Sequence, residues 1–255
     1  MTRVIKVGGR PQLDPALPVA LAAAHRSAPA SLVVVHGGGD EVTTLQRLFG
    51  AVSEFRGGRR VTSALDLEII RMALSGSANK RLVSVLVAAN VAAVGLSGED
   101  AGLLSATPLD PEQFGFVGVP AEVNVGLLLH LLAGGYLPVL SPVSRCTEPS
   151  AGVTLNVNGD DAAAAIAVAI EADELLLVSD VAAVLKDGVP VATLAPDDAQ
   201  RLIDDGTAQG GMAAKLQAAI AALDGGVERV RISDIAAIEQ LERGTVLTRV
   251  GSVCA

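Results

Sequence analysis

Short runs of β-branched and aliphatic residues, most of them closed by glycine, serine or aspartate, recur at residues 3–7, 31–35, 92–96, 137–140, 153–157, 174–178, 189–192, 227–232 and 245–248. Runs of this length and composition predict short, buried strands. Between them, helical patterns cover residues 15–26, 40–49, 64–90, 123–133, 160–171, 197–204 and 211–223. Strands alternating with helices predict an α/β protein, a three-layer αβα sandwich with a mainly parallel central sheet. The turn-rich stretch Thr147-Glu148-Pro149-Ser150-Ala151-Gly152 marks an expected junction between an N-terminal lobe, residues 1–152, and a C-terminal lobe, residues 153–255. In the long helical segment, Leu67, Ile70 and Leu74 recur at helical spacing, which suits either a core-facing side or a dimer face.

Two of the strands run straight into glycine. Arg3-Val4-Ile5-Lys6-Val7-Gly8-Gly9 carries a lysine into the first turn, and Leu32-Val33-Val34-Val35-His36-Gly37-Gly38-Gly39 repeats the arrangement. Consecutive glycines deliver bare backbone N–H groups to a ligand without Cβ obstruction, and two such loops suggest a site for anions. Neither loop matches GxxxxGK[ST] or GxGxxG, and either alone is also what a tight βα turn needs.

A chain of 255 residues with a formal charge of −9 and 2% aromatic content argues against broad nucleic-acid binding and favours small-molecule chemistry. Its most apolar stretches, residues 125–140 and 162–170, are interrupted or too short to span a bilayer, so no membrane association is expected. Cys146 and Cys254 are far apart, His25, His36 and His130 are scattered, and no CxxC or HExxH occurs. That leaves no expected metal-ligating set and, with no apolar leader pattern at the start, fits a cytoplasmic location.

Three further segments carry polar groups beyond what their local structure needs. Asn156-Val157-Asn158-Gly159-Asp160-Asp161 joins a strand to an alanine-rich helix and holds more polar side chains than one N-cap requires. The excess points Asn156 and Asp160 into a cleft at the carboxyl ends of the strands. Gly210-Gly211-Met212-Ala213-Ala214-Lys215 places a second lysine just inside a helix, and Arg56-Gly57-Gly58-Arg59-Arg60-Val61-Thr62 is a basic turn in an acidic chain. Anionic ligands are the functional reading of both; a solvated lysine and a solvated loop are the plain ones.

In order, Lys6 with Gly8-Gly9, His36-Gly37-Gly38-Gly39, Arg60-Val61-Thr62, Ser77-Ala78-Asn79-Lys80, Gly95-Leu96-Ser97-Gly98-Glu99-Asp100, Asn156-Val157-Asn158-Gly159-Asp160, Ser179-Asp180-Val181 and Gly210-Gly211-Met212-Ala213-Ala214-Lys215 resemble the amino acid kinase family, and within it the acetylglutamate kinases. The resemblance covers nearly the whole chain. It implies ATP-dependent phosphorylation of the γ-carboxylate of N-acetyl-L-glutamate in arginine biosynthesis, with Mg²⁺ held mainly by the nucleotide phosphates. A carboxylate nucleophile, with a reference pKa of about 4, needs no general base, so the lack of a candidate catalytic histidine is expected. What the reaction does need is positive charge, because one anion must approach another.

By the same resemblance, Lys6 stabilises the transferring phosphoryl group, Lys215 the leaving-group side, and Asp160 holds both. Gly38, Gly39, Arg60 and Asn156 are expected on the acceptor, with Arg60 pairing its α-carboxylate. Gly8 and Gly9, Asp180, Val181, Ala182, Ala183, Val184 and Leu185, and Thr207, Ala208 and Gln209 are expected on the nucleotide. The chain departs from the family pattern at Ala182-Ala183, where a small residue then glycine is usual, and at Ala214, where proline or a hydrophobic residue is usual. The family associates an extra N-terminal helix with arginine-inhibited hexamers, and a chain starting at its first strand is expected to be an arginine-insensitive homodimer.

Alternative readings are a kinase for carrier-protein-linked N-acetyl-aminoadipate of lysine biosynthesis, other kinases of the fold, and a non-catalytic nucleotide-binding protein. One methylene changes affinity by only about 1–3 kcal/mol, so motifs need not separate the first. An acidic carrier would favour a basic patch, which this acidic chain offers only at Arg56, Arg59 and Arg60. Retention of both lysines with Asp160 speaks against mere binding.

Overall fold

The computed structural model describes residues 1–148 and 154–248. The strands are β1 (Arg3–Val7), β2 (Leu32–His36), β3 (Phe55–Arg56), β4 (Arg59–Arg60), β5 (Ala93–Gly98), β6 (Leu104–Pro108), β7 (Val117–Val123), β8 (Leu137–Cys146), β9 (Thr154–Val157), β10 (Glu174–Val178), β11 (Leu185–Lys186), β12 (Val189–Pro190), β13 (Thr193–Leu194), β14 (Arg229–Ser233) and β15 (Thr245–Leu247). The helices are α1 (Ala16–Ser27), α2 (Gly39–Leu48), α3 (Ala64–Ile70), α4 (Asn79–Ala88), α5 (Pro111–Phe114), α6 (Val125–Ala133), α7 (Gly159–Ala169), α8 (Pro196–Asp204) and α9 (Gly210–Asp224).

An 11-stranded sheet runs β13-β15-β14-β10-β1-β2-β8-β6-β7-β9, with β5 also paired to β8. All its pairings are parallel except β6–β7, β8–β9 and β14–β15. Alternation along the central strands sends side chains to two cores. Ile5, Val7 and Val34 pack beneath α1 and α4 with Leu17, Leu21 and Leu86, while Val4, Val33 and Val35 face α7 and α9 through Ala163, Ile166 and Leu216. The αβα sandwich with a mainly parallel sheet is therefore present. Alanine-rich α7 and α9 lie close together because their facing side chains are small, and Ala163, Ala167, Ala219 and Ala222 are fully buried.

The expected junction at residues 147–152 lies mostly outside the described residues, as does Cys254. Just beyond that junction, β9 pairs with β7 and β8, so the sheet passes from one expected lobe to the other without a break.

Several expected elements differ. The single helix over residues 64–90 is two α-helices joined by a π-helical stretch, Arg71–Ala78. Its start is a capping box, Ser63 with Asp66, and the stretch Ser75-Gly76-Ser77, poor in helix formers, sits where the winding loosens. Leu67, Ile70 and Leu74 are buried, the last two against Val42 and Val143, which decides for the core-facing reading. Of the strand expected at 189–192 only Val189–Pro190 forms: Asp187 and Gly188 adopt positive φ of 53° and 77°, turning Val189 back onto β11 as a small hairpin. β3–β4, β6, β7 and α5 were not expected. Prolines and glycines interrupt the apolar pattern of residues 101–123, and partner strands complete elements that periodicity alone does not show.

Candidate active site

The alternation that places Val4 under α7 also sends Lys6 there, to the carboxyl end of β1, where α7 begins. Asn158 caps that helix by accepting from the Asp160 N–H at 2.8 Å, leaving the Asp160 side chain free to turn inward. Lys6 Nζ lies 2.8 Å from Asp160 Oδ1. Lys215, rising from α9, places Nζ 3.1 Å from both carboxylate oxygens. Lys6 and Asp160 are only 6% and 4% exposed, so water does little to separate these charges. Burial pushes the Asp160 carboxyl up, but the two ammonium groups outweigh it and hold it below the usual carboxylate range. Burial, then repulsion from Lys6, pushes Lys215 down to about 8 against the attraction of Asp160. Two lysines on one carboxylate leave an excess positive charge.

The glycine loops close round this cluster. A Cβ on Gly9 would stand 3.3 Å from Gly38 Cα and from Gly39 N, so the loops touch backbone to backbone. Gln12 braces them from behind, its Nε2 donating to Gly8 O at 3.3 Å and Gly37 O at 2.8 Å. His36 Nδ1–H donates to Gly37 O at 2.9 Å while Nε2 accepts from Asn79 Nδ2 at 3.0 Å. Burial depresses the imidazole to about 4, so His36 is neutral at pH 7 and serves the loop's geometry. Gly38 has φ of 152°, and a Cβ there would meet Leu74 Cδ2 at 2.7 Å.

Two cavities border the cluster. One, about 200 Å³, is lined by Lys6, Gly37 to Gly39, Arg59, Arg60, Asn156 and Asp160, with an apolar wall of Val42, Ile70, Leu74, Val117 and Pro142. The other, about 460 Å³, is lined by Gly8, Gly9, Arg10, Asp40, Asp180, Val181, Gly211 and Lys215. Gly9 and Gly39 border both. A group bound in one cavity therefore meets a group bound in the other beside the lysines.

Arg60 reaches the smaller cavity, stacked 4.5 Å from the Phe55 ring centroid. Its Nη1 donates to Gln46 Oε1 and to Ser53 Oγ at 2.7 Å, and its Nη2 to Gly39 O at 3.0 Å and Thr43 Oγ1 at 2.9 Å. Asn156 lines the same space and donates to Thr62 Oγ1 at 3.0 Å. Gly38, Gly39, Arg60 and Asn156 are thus brought together with Lys6.

The nucleotide-side expectations divide. Gly8, Gly9, Asp180 and Val181 line the larger cleft with Lys215. Ala182, Ala183, Val184 and Leu185 lie beyond its lining: Val184 is buried with its N–H bonded to Thr245 Oγ1 at 2.8 Å, and Leu185 is exposed on β11. Thr207, Ala208 and Gln209 precede α9, with Ala208 buried and the Gln209 amide bonded to Gly206 O at 2.8 Å. Sequence reasoning missed Gln12 and the Arg10 bridge to Asp40 and Asp180, at 3.3 and 3.0 Å, because neither forms a motif. Among the described residues no group of three or more His, Cys, Asp or Glu is placed to hold a metal ion, and no helix is long and apolar enough to cross a membrane.

The family model of the amino acid kinases matches residues 1–234. The chain is 43% identical over 237 residues to the acetylglutamate kinase of Chloroflexus aurantiacus, covering 92% of each. To the acetylglutamate kinase of Geobacillus stearothermophilus it is 42% identical over 233 residues, covering 91% of this chain and 89% of the other. The solved structure of smu.665 from Streptococcus mutans UA159 superposes with a TM-score of 0.87 at 29% identity, covering 97% of this chain and 98% of that one. The chain belongs to the amino acid kinase family, and within it to the acetylglutamate kinases.

Proposed function

We propose that the chain transfers the γ-phosphoryl group of ATP to the γ-carboxylate of N-acetyl-L-glutamate, giving N-acetyl-L-glutamyl 5-phosphate in arginine biosynthesis. The observation that carries this is Asp160 holding Lys6 and Lys215 between two cavities that share the glycine loops. The acceptor occupies the smaller cavity, its acetyl group against Val42, Ile70 and Leu74. Arg60 exchanges one of its protein partners for the α-carboxylate, and Asn156 binds a neighbouring polar atom. The triphosphate occupies the larger cleft, with its base directed toward residues 180–185 and 207–209. Mg²⁺ accompanying ATP would be held mainly by the nucleotide phosphates and would supply positive charge to their oxygens.

A γ-carboxylate oxygen forms the new bond to phosphorus as the bond to the β–γ bridging oxygen breaks, and ADP leaves with that electron pair. Lys6, on the acceptor side, offsets charge on the phosphoryl oxygens; Lys215, on the nucleotide side, offsets charge growing on the bridging oxygen. Glycine N–H groups contribute fixed dipoles that need no reorganisation. Asp160 positions both ammonium groups and takes no proton.

The protein is proposed to act in the cytoplasm as a homodimer, with the exposed apolar residues Leu65 and Met72, seven positions apart in the long helical segment, in the contact face. Sedimentation tests that assignment, and a monomer would reject it. The function is tested by trapping acyl phosphate as hydroxamate with Mg-ATP and N-acetyl-L-glutamate, against free and carrier-bound N-acetyl-aminoadipate. Preferential turnover of acetylglutamate is expected; preference for the carrier-bound substrate would reassign the chain to lysine biosynthesis.

A further inference from the structure

The smaller cavity contains a second arginine that the phosphoryl-transfer reading does not use. Arg59, beside Arg60 on β4, places Nη2 2.5 Å from Asp161 Oδ2, with side chains 23% and 15% exposed. The pair ties the β3–β4 hairpin to the first turn of α7. At the hairpin tip a Cβ on Gly58 would lie 3.2 Å from Gly210 O, so the hairpin also rests on the start of α9. Asp161 thus fixes one end of the guanidinium and neutralises its charge.

The Nε–H of Arg59 is buried and has no hydrogen-bond partner among the described residues. A buried donor without an acceptor is unfavourable, and native proteins leave few of them except where a ligand or water completes the bond. Arg60, by contrast, has its Nη hydrogens engaged by Gln46, Ser53, Gly39 and Thr43. Arg59 lines the cavity that contains Lys6 and Asn156, also borders a separate groove with Val119, Asp161 and Ala165, and is not among the residues lining the nucleotide cleft.

Resting on the acceptor assignment above, we infer that Arg59 is a further acceptor-binding residue: its Nε–H donates to a carboxylate or amide oxygen of the bound acyl amino acid, while Asp161 holds the guanidinium in position. A planar donor fixed at one end adds a directional bond without adding net charge to a site already positive from the lysine pair. Such a donor reads where the acceptor's oxygens lie.

The test measures hydroxamate formation by the intact protein while acetylglutamate and ATP are varied separately. In Arg59→Ala the KM for acetylglutamate is expected to rise by roughly 10- to 100-fold, with the KM for ATP within about twofold of wild type. Arg59→Lys keeps a cation that can still pair with Asp161 but lacks Nε–H, and is expected to leave acceptor affinity low. Equal rises in both KM values, an unchanged acceptor KM, or full rescue by lysine would overturn the inference and leave Arg59 a structural tie. If the wild type phosphorylates a different carboxylate, the functional reading fails alone, and the same comparison of acceptor and ATP KM is made with that carboxylate.

Discussion

Lys215 is the residue whose chemistry is most exposed to pH. With its ammonium group pushed down to about 8, raising the pH through that value removes one of the two cations proposed to act at the transfer. The kcat/KM for ATP should fall above about pH 8. Asp160→Asn removes the charge that supports Lys215, and the alkaline limb should then move to lower pH as turnover drops. Stability responds in the opposite sense. A lysine depressed in the folded state binds fewer protons than in the unfolded chain, so its contribution to stability rises with pH from about 8 toward its usual value. Lys6 supplies the other cation, and Lys6→Ala should cost roughly 10²–10³-fold in kcat while nucleotide affinity, measured by calorimetry, is largely retained. Equal loss of affinity would assign Lys6 to binding alone.

At the level of elements, the π-helical stretch brings Leu74 against Gly38 and sets Asn79 at the head of α4, beneath His36. Gly95 on β5 lies directly under that amide: a Cβ there would sit 2.1 Å from Asn79 Oδ1. Gly95→Ala must displace Asn79, which bonds His36 and Val139 O, and should cost about 1–3 kcal/mol, seen as a lower Tm. Strand-to-glycine runs such as residues 3–9 and 32–39 were legible because buried parallel strands read as continuous apolar stretches and glycine marks their ends. The π stretch was not legible, since one looser turn barely alters an apolar period. Nor were β6 and β7, whose residues Val117 to Val123 include a glycine and a proline and become a strand through pairing with β6 and β9. The charged residues of the site were legible as isolated oddities: a lysine in a buried strand and an aspartate at a helix start. Their convergence was supplied by the family resemblance. Arg59 and Gln12 act through distances between elements, which no local pattern encodes.

Over the whole molecule, the end of the sheet opposite the site is fastened by a second charge cluster. Glu174, fully buried, receives Arg231 at 2.6 Å, Arg3 at 2.8 Å and Arg229 at 3.0 Å. Burial pushes its carboxyl up, but Arg231, Arg3 and Arg229 together hold it below the usual range. The stability it gives is present above the unfolded carboxylate pKa and is lost as pH falls through the lower folded value. Glu174→Gln leaves the arginines without their counter-charge and should cost about 3–5 kcal/mol, a fall of roughly 6–20 °C in Tm, with the hydroxamate assay little changed at low temperature. The cluster also marks the seam where β1 meets β10, joining residues 171 positions apart. Cleaving the chain near residue 150 would turn that seam into two raw, adhesive margins, each a row of unmet peptide groups. Neither fragment would be a self-sufficient enzyme half. Each would be the template its counterpart needs, so that mixing the two should restore by strand complementation what neither possesses alone.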